Sequence, residues 1–159
     1  MPDAAPFESR SPGRHYKMAS SLKAGFHYFS CVFAVGFILG IVRVLFVMPR
    51  TGELMAVVFE LPVILASAWV ICRWLIIRSR VPAEIKSRSV MGMTALVLLL
   101  VAEAALSVLV FDNSLIEYLG SFRTAHGLTG LAGQVVFGLI PVLQLMLSRA
   151  GDWCSESGR

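Results

Sequence analysis

The chain has 159 residues, of which 57% are hydrophobic and only 15% are charged, and its formal net charge is +4. This composition is much more apolar than a soluble domain of this length requires, so it excludes a soluble globular protein and predicts a membrane protein. The cations lie at the ends of apolar segments, which argues against a nucleic-acid partner.

Residues 1–22 form a polar head rich in proline, serine and glycine, for which the composition predicts disorder. A transmembrane domain is predicted over 23–149, followed by a tail at 150–159. Within the domain, four apolar runs cover approximately 24–47, 53–77, 90–111 and 127–147. Each run has about the length that a helix needs to cross ~30 Å of hydrocarbon, and none alternates as a barrel strand does. The sequence therefore predicts an all-α fold, a four-helix transmembrane bundle.

Positive charge is unevenly divided between the two sides of this predicted bundle. Because the number of spans is even, the head, the connection between spans 2 and 3, and the tail lie on one side. That side carries Arg10, Arg14, Lys17, Lys23, Arg78, Arg80, Lys86, Arg88 and Arg149. The opposite side carries Arg50 and Arg123. The positive-inside rule then predicts that both termini are cytoplasmic.

A short outer turn is predicted between spans 1 and 2, where the sequence MPRTG supplies a proline and a glycine. So short a connection makes the two spans antiparallel neighbours, and residues equidistant from the turn then lie at equal depth. This counting pairs Arg50 with Glu53 at the outer surface. It also pairs Arg43 with Glu60, about two turns or roughly 10 Å further in.

Spans 3 and 4 each add one polar residue at a similar depth, Glu103 and Gln134. A charge that faces lipid costs at least ~2.5 to 3.5 kcal/mol, so the polar residues of the four spans are predicted to meet in one cluster. One arginine cannot compensate two carboxylates in a low dielectric, and we expect Glu60 and Glu103 to share one proton. Gln134 is interpreted as a hydrogen-bonding contact between helices.

Two further features of the spans and their connections suggest contacts. Gly36 and Gly40 share a face of span 1 with Arg43 and form a small-x-x-x-small patch, which predicts close helix packing or a docking face. The linker DNSLIEYLGSFRTAH between spans 3 and 4 has apolar residues at helical spacing. It is interpreted either as an amphipathic lid over the polar cluster or as a plain interfacial connection.

The sequence predicts no metal site and no cofactor. His27 and Cys31 are four residues apart, and Cys72 lies level with Cys31, but both cysteines point about 120° away from the faces that carry Arg43 and Glu60. The chain has no Walker loop, no G-x-S-x-G and no H-E-x-x-H. Enzymatic activity is therefore not predicted.

The pattern G-x-x-x-G-x-x-R, P-R-x-G-E and E-x-P occurs at 36–43, 49–53 and 60–62. With these motifs spans 1 and 2 resemble an uncharacterised family of small four-span bacterial integral membrane proteins. The resemblance supports the four-span topology and implies no activity. For the chain itself we expect a location in the bacterial inner membrane.

Two functions follow from this sequence. The first is an accessory or structural membrane protein whose polar cluster specifies assembly with the lipid bilayer, a partner membrane protein or further copies of the chain. The second is a proton-linked transporter or channel element that uses Glu60 and Glu103, oriented by Arg43. We favour the first, because short connections leave little room for a gated pathway in one copy.

Overall fold

The computed structural model describes the backbone of residues 12–109 and 114–156, and apart from turns these ranges are helical. The elements are α1 Pro12–Val42, a π-helical turn Arg43–Val47, α2 Met48–Thr51, α3 Glu53–Arg78, α4 Ile85–Leu109, α5 Leu115–Ser121 and α6 Ala125–Glu156. Four segments are long and apolar enough to cross a membrane: Met18–Thr51, Glu53–Arg78, Ile85–Leu109 and Ala125–Ala150. The predicted all-α fold with four apolar helices is confirmed, whereas the orientation of the termini stays a prediction.

Within the polar head predicted over 1–22, the chain is helical from Pro12 onward, residues 1–11 lie outside the described part of the chain, and the disorder of the head stays a prediction. Helix α1 begins at Pro12, and proline suits the first turn of a helix. Ser21 and Ala24 are buried at 0% and 1% exposure.

The first span ends in a widened turn that the sequence reading missed. The N–H of Met48 donates to the carbonyl oxygen of Arg43, five residues earlier, which is π-helical geometry. Pro49 follows directly, and a proline ring clashes with the carbonyl of an ordinary α-helical turn before it. The predicted tight reversal then occurs at Gly52, whose φ of 80° lies in the region that favours glycine.

The four long helices form a ring in the order α1, α3, α6, α4, so that α1 and α6 are diagonal to each other. Tyr28 of α1 crosses this diagonal: its ring stacks on Phe137 of α6 at 4.6 Å, and its hydroxyl donates to the Phe137 carbonyl at 3.2 Å. The core is formed around it by Ala24, Val32, Ala68, Cys72, Leu75, Met91, Ala95 and Ile140. These residues lie in the half of the bundle that contains the α3–α4 connection, here named the basic end. The opposite half, at the Gly52 turn, is named the hairpin end.

Glycines other than the predicted ones make the close helix contacts. A side chain at Gly92 of α4 would collide with the carbonyl oxygen of Gly138 on α6, and one at Gly25 would lie 2.7 Å from the Met91 carbonyl oxygen. A methyl group at Gly40 would have no neighbour within 4 Å, and at Gly36 it would only touch Ile64. Neither Gly36 nor Gly40 makes a close helix contact of this kind inside the bundle, and their role as a docking face stays a prediction.

Candidate functional site

Arg43 and Glu60 form an ion pair that joins α1 to α3. The Nε atom of Arg43 lies 2.9 Å from Oε2 of Glu60, and the side chains are 31% and 20% exposed. The Arg43 Nε–H is buried but not aligned for a hydrogen bond with this or any other acceptor. The π-helical turn begins at Arg43 itself, and such turns are frequent at functional sites.

Glu103 and Gln134 form the second contact, which joins α4 to α6. The Gln134 side-chain amide donates to Oε2 of Glu103, and its own Oε1 is buried without a hydrogen-bond partner. Glu103 lies within electrostatic reach of both Arg43 and Glu60. The structure thus brings together one residue from each span, and we name Arg43, Glu60, Glu103 and Gln134 the hairpin cluster.

Tyr118 of α5 lies near Glu103 of the hairpin cluster. Burial, and secondly the nearby Glu103 carboxylate, raise the pKa of the Tyr118 hydroxyl. That hydroxyl is buried and makes no hydrogen bond, and its ring packs edge-to-face on Phe122 at 5.1 Å. The linker therefore contains a helix whose Tyr118 is in electrostatic reach of Glu103, and the two interpretations of the linker, a lid over the polar cluster or a plain connection, both stay predictions.

The outer pair expected at the turn, Arg50 with Glu53, is not formed. Arg50 Nη1 donates to the Phe46 carbonyl at 2.8 Å, whereas Glu53 Oε1 lies 3.4 Å from His126 Nε2. The π-helical turn explains the difference. It inserts one residue between Arg43 and Arg50, which rotates Arg50 by about 100° from the position that α-helical counting predicts.

The Arg43–Glu60 pair lines an open groove on the flank of the bundle. The groove has a volume of about 150 Å³ and is lined by Leu39, Val42, Arg43, Val47, Ala56, Phe59, Glu60 and Val63. Its apolar rim is exposed, with Phe59 62% and Val63 50% accessible. A charged pair of this kind, placed beside apolar side chains, can accept a polar group that arrives from the membrane side.

Two further interhelical contacts were not predicted from the sequence. Tyr28 binds the Phe137 carbonyl, and the Gln144 amide donates to the Trp69 carbonyl at 2.7 Å. Both side chains belong to polar residue types inside apolar runs, which is the signal that could have identified them. In the described part of the chain no three His, Cys, Asp or Glu side chains meet in a way that could hold a metal ion.

The four apolar helices and the polar contacts between them are compatible with a small membrane protein. No family model, no curated protein and no solved structure matches the chain.

Proposed function

We propose that the protein is an accessory component of a bacterial inner membrane, with both termini cytoplasmic, and that it binds a transmembrane helix of a partner protein in the groove between α1 and α3. The observation that carries this proposal is the partial exposure of the Arg43–Glu60 ion pair on the flank of the bundle. A pair buried among the four helices would need no partner, whereas this pair opens toward the surface.

Energetics favour a protein occupant over lipid tails. An ionised group at membrane depth is stabilised by facing protein or water, and exposure to hydrocarbon is costly. The groove has a volume comparable to a cavity of ~150 Å³ that binds benzene, so one ring-sized side chain of a crossing helix fits it. A polar group on the same helix reaches the Arg43–Glu60 pair, whose side chains are 31% and 20% exposed.

The surroundings of the groove support docking in the same half of the bundle. The buried core lies toward the basic end, while Phe37, Ile38 and Leu45 of the first span are 52%, 62% and 62% exposed. A methyl group at Gly40 would meet no neighbour within 4 Å, so a second helix can approach closely there. The hairpin end therefore offers both a small-residue surface and a polar contact.

Site-specific photocrosslinking in intact membranes tests this function. A photoreactive residue replaces Val63, which lines the groove, and in the control it replaces Val70, which is 66% exposed on the same face of α3 two turns away. A discrete heteromeric product at Val63, absent at Val70 and lost with Arg43→Met, supports the proposal. Equal crosslinking at both sites, or a product of twice the chain mass, contradicts it.

A proton-carrying role is the second candidate, and the contact between Glu103 and Gln134 favours it. Gln134 Oε1 has no donor, and a protonated Glu103 could supply one while it accepts from the amide. Tyr118 would then stand between this acid and the hairpin end. In a reconstituted vesicle with an imposed pH gradient, Glu103→Gln should abolish proton flux while the bundle still assembles, and a flux equal to the wild type contradicts the role.

A further inference from the structure

Arg88 is a buried cation at the basic end, far from the hairpin cluster. The sequence reading placed it among the surface cations that set orientation, but it is only 6% exposed. Its Nη2 donates to the Val81 carbonyl at 3.3 Å, and its Nε and Nη1 are buried without any hydrogen-bond partner. Among the described residues no carboxylate forms an ion pair with it.

A buried guanidinium with free donors is unfavourable unless an anion approaches it. Its desolvation is repaid only by a partner of opposite charge with good hydrogen-bond geometry. The one side chain known to act electrostatically on Arg88 is the Cys72 thiol, which is fully buried. The described protein atoms therefore leave Arg88 short of acceptors.

The connection between α3 and α4 gathers a second arginine at the same place. Arg149 of α6 donates from Nη2 to the Ala83 carbonyl at 2.9 Å, two residues from the Val81 carbonyl that Arg88 binds. Helix α4 begins at Ile85, so its N-terminal turn, the end of a helix that favours anions, adjoins this connection. Glu84, the one acid of the connection, makes an interaction of its own.

We infer that the basic end holds a phosphate-type oxyanion on Arg88, with Arg149 and the first turn of α4 as its further contacts. Phosphate offers several acceptor oxygens, which suits a site where Nε and Nη1 of the buried Arg88 guanidinium have no hydrogen-bond partner. The anion is either the headgroup phosphate of an anionic phospholipid or free phosphate, because both present the same oxygens. The exposed cations Lys23, Lys86 and Arg78 raise the local anion concentration.

The test uses the full chain purified in detergent. Thermal unfolding is followed while phosphatidylglycerol, phosphatidylcholine or inorganic phosphate is added, and native mass spectrometry counts retained lipids. We expect an anion to raise the unfolding temperature of the wild type and of Arg73→Gln, which changes an exposed arginine near the same end. Arg88→Gln should weaken anion binding about tenfold or more, as expected when a charge-assisted hydrogen bond is lost.

Each outcome decides the inference. Stabilisation by phosphatidylglycerol but not by inorganic phosphate identifies a lipid headgroup, and the reverse identifies a soluble oxyanion. Equal effects of phosphatidylglycerol and phosphatidylcholine without an effect of phosphate, or wild-type binding by Arg88→Gln, overturn the site. If Arg88→Gln does not fold, the wild-type titrations and the weaker binding expected of Arg149→Gln decide the question. Crosslinking at the opposite end is independent of all these results.

Discussion

The Nε atom of Arg43 lies 2.9 Å from Oε2 of Glu60, and yet both side chains remain partly exposed in a groove between α1 and α3. The pair therefore does two things at once. It fixes the register of the hairpin by joining two spans at one depth, and it presents charge at the flank of the bundle. Glu103 is in electrostatic reach of the same pair from the neighbouring helix α4.

Removing either member of this pair should destabilise the bundle. Arg43→Met or Glu60→Gln is expected to lower the free energy of unfolding by about 2 to 3 kcal/mol, less than for a fully buried pair because both side chains are partly exposed. The double variant should lose less than the sum of the two. Unfolding in mixed detergent and dodecyl sulfate, followed by circular dichroism, measures this. Arg50→Gln, at an exposed residue, is the control and should change stability by about 0.5 kcal/mol or less. Strict additivity would show that the pair is not coupled.

The contact between Glu103 and Gln134 predicts a difference between two substitutions of the same residue. Glu103→Gln keeps an acceptor for the Gln134 amide, so the change in unfolding free energy should stay below about 1 kcal/mol. Glu103→Ala leaves the amide unsatisfied and should cost about 1 to 3 kcal/mol. Adding Gln134→Leu to Glu103→Ala should recover part of that loss. If Glu103→Gln and Glu103→Ala lowered the unfolding free energy equally, the Gln134 amide would not depend on Glu103 as its hydrogen-bond acceptor.

Glycine contacts give a matched pair of alanine substitutions. At Gly92 an added methyl group collides with the Gly138 carbonyl, so α4 and α6 must separate and Gly92→Ala should lower the unfolding free energy by about 1 to 3 kcal/mol. At Gly40 the methyl group meets no neighbour, and Gly40→Ala should be neutral or stabilising by up to about 1 kcal/mol, because alanine favours helix. The same detergent titration checks both. A larger loss at Gly40 than at Gly92 would contradict the helix arrangement described above.

The short helix α5 should loosen in acid. Ser114 N and Oγ donate to Glu117 Oε2 at 2.7 and 2.9 Å, and these bonds lower the pKa of Glu117 from its ordinary value of 4.5. A lowered pKa means that the cap stabilises α5 above pH 4.5 and is lost as the pH falls through the lower folded value. Amide hydrogen exchange of residues 115–121, corrected for the intrinsic rate, should show this loss of protection. Glu117→Gln removes the titration, and a variant that still loses protection at the same pH would rule out the cap as its cause.

The local composition of the sequence was sufficient to predict the four spans. Hydropathy over about 20 residues sets which segments prefer hydrocarbon, and the proline and glycine of MPRTG set the position of the first turn. The depth of a residue in the membrane also follows from the number of residues that separate it from the turn, since each residue of a helix rises by about 1.5 Å. For that reason the sequence placed Arg43 opposite Glu60, the same two residues that the structure joins.

The rotation of each helix about its own axis and the order of the helices around the bundle were decided only by the tertiary structure. Each residue turns a helix by about 100°, so the single extra residue of the π-helical turn sends Arg50 to the Phe46 carbonyl instead of Glu53. Which glycines meet, and how deeply Arg88 is buried, depends on which helices are neighbours. A sequence pattern shows which residues share a face of one helix, but it does not show which faces of two helices meet. Contacts between faces form only when four helices pack at once, because close packing in one pair fixes the rotation available to the next.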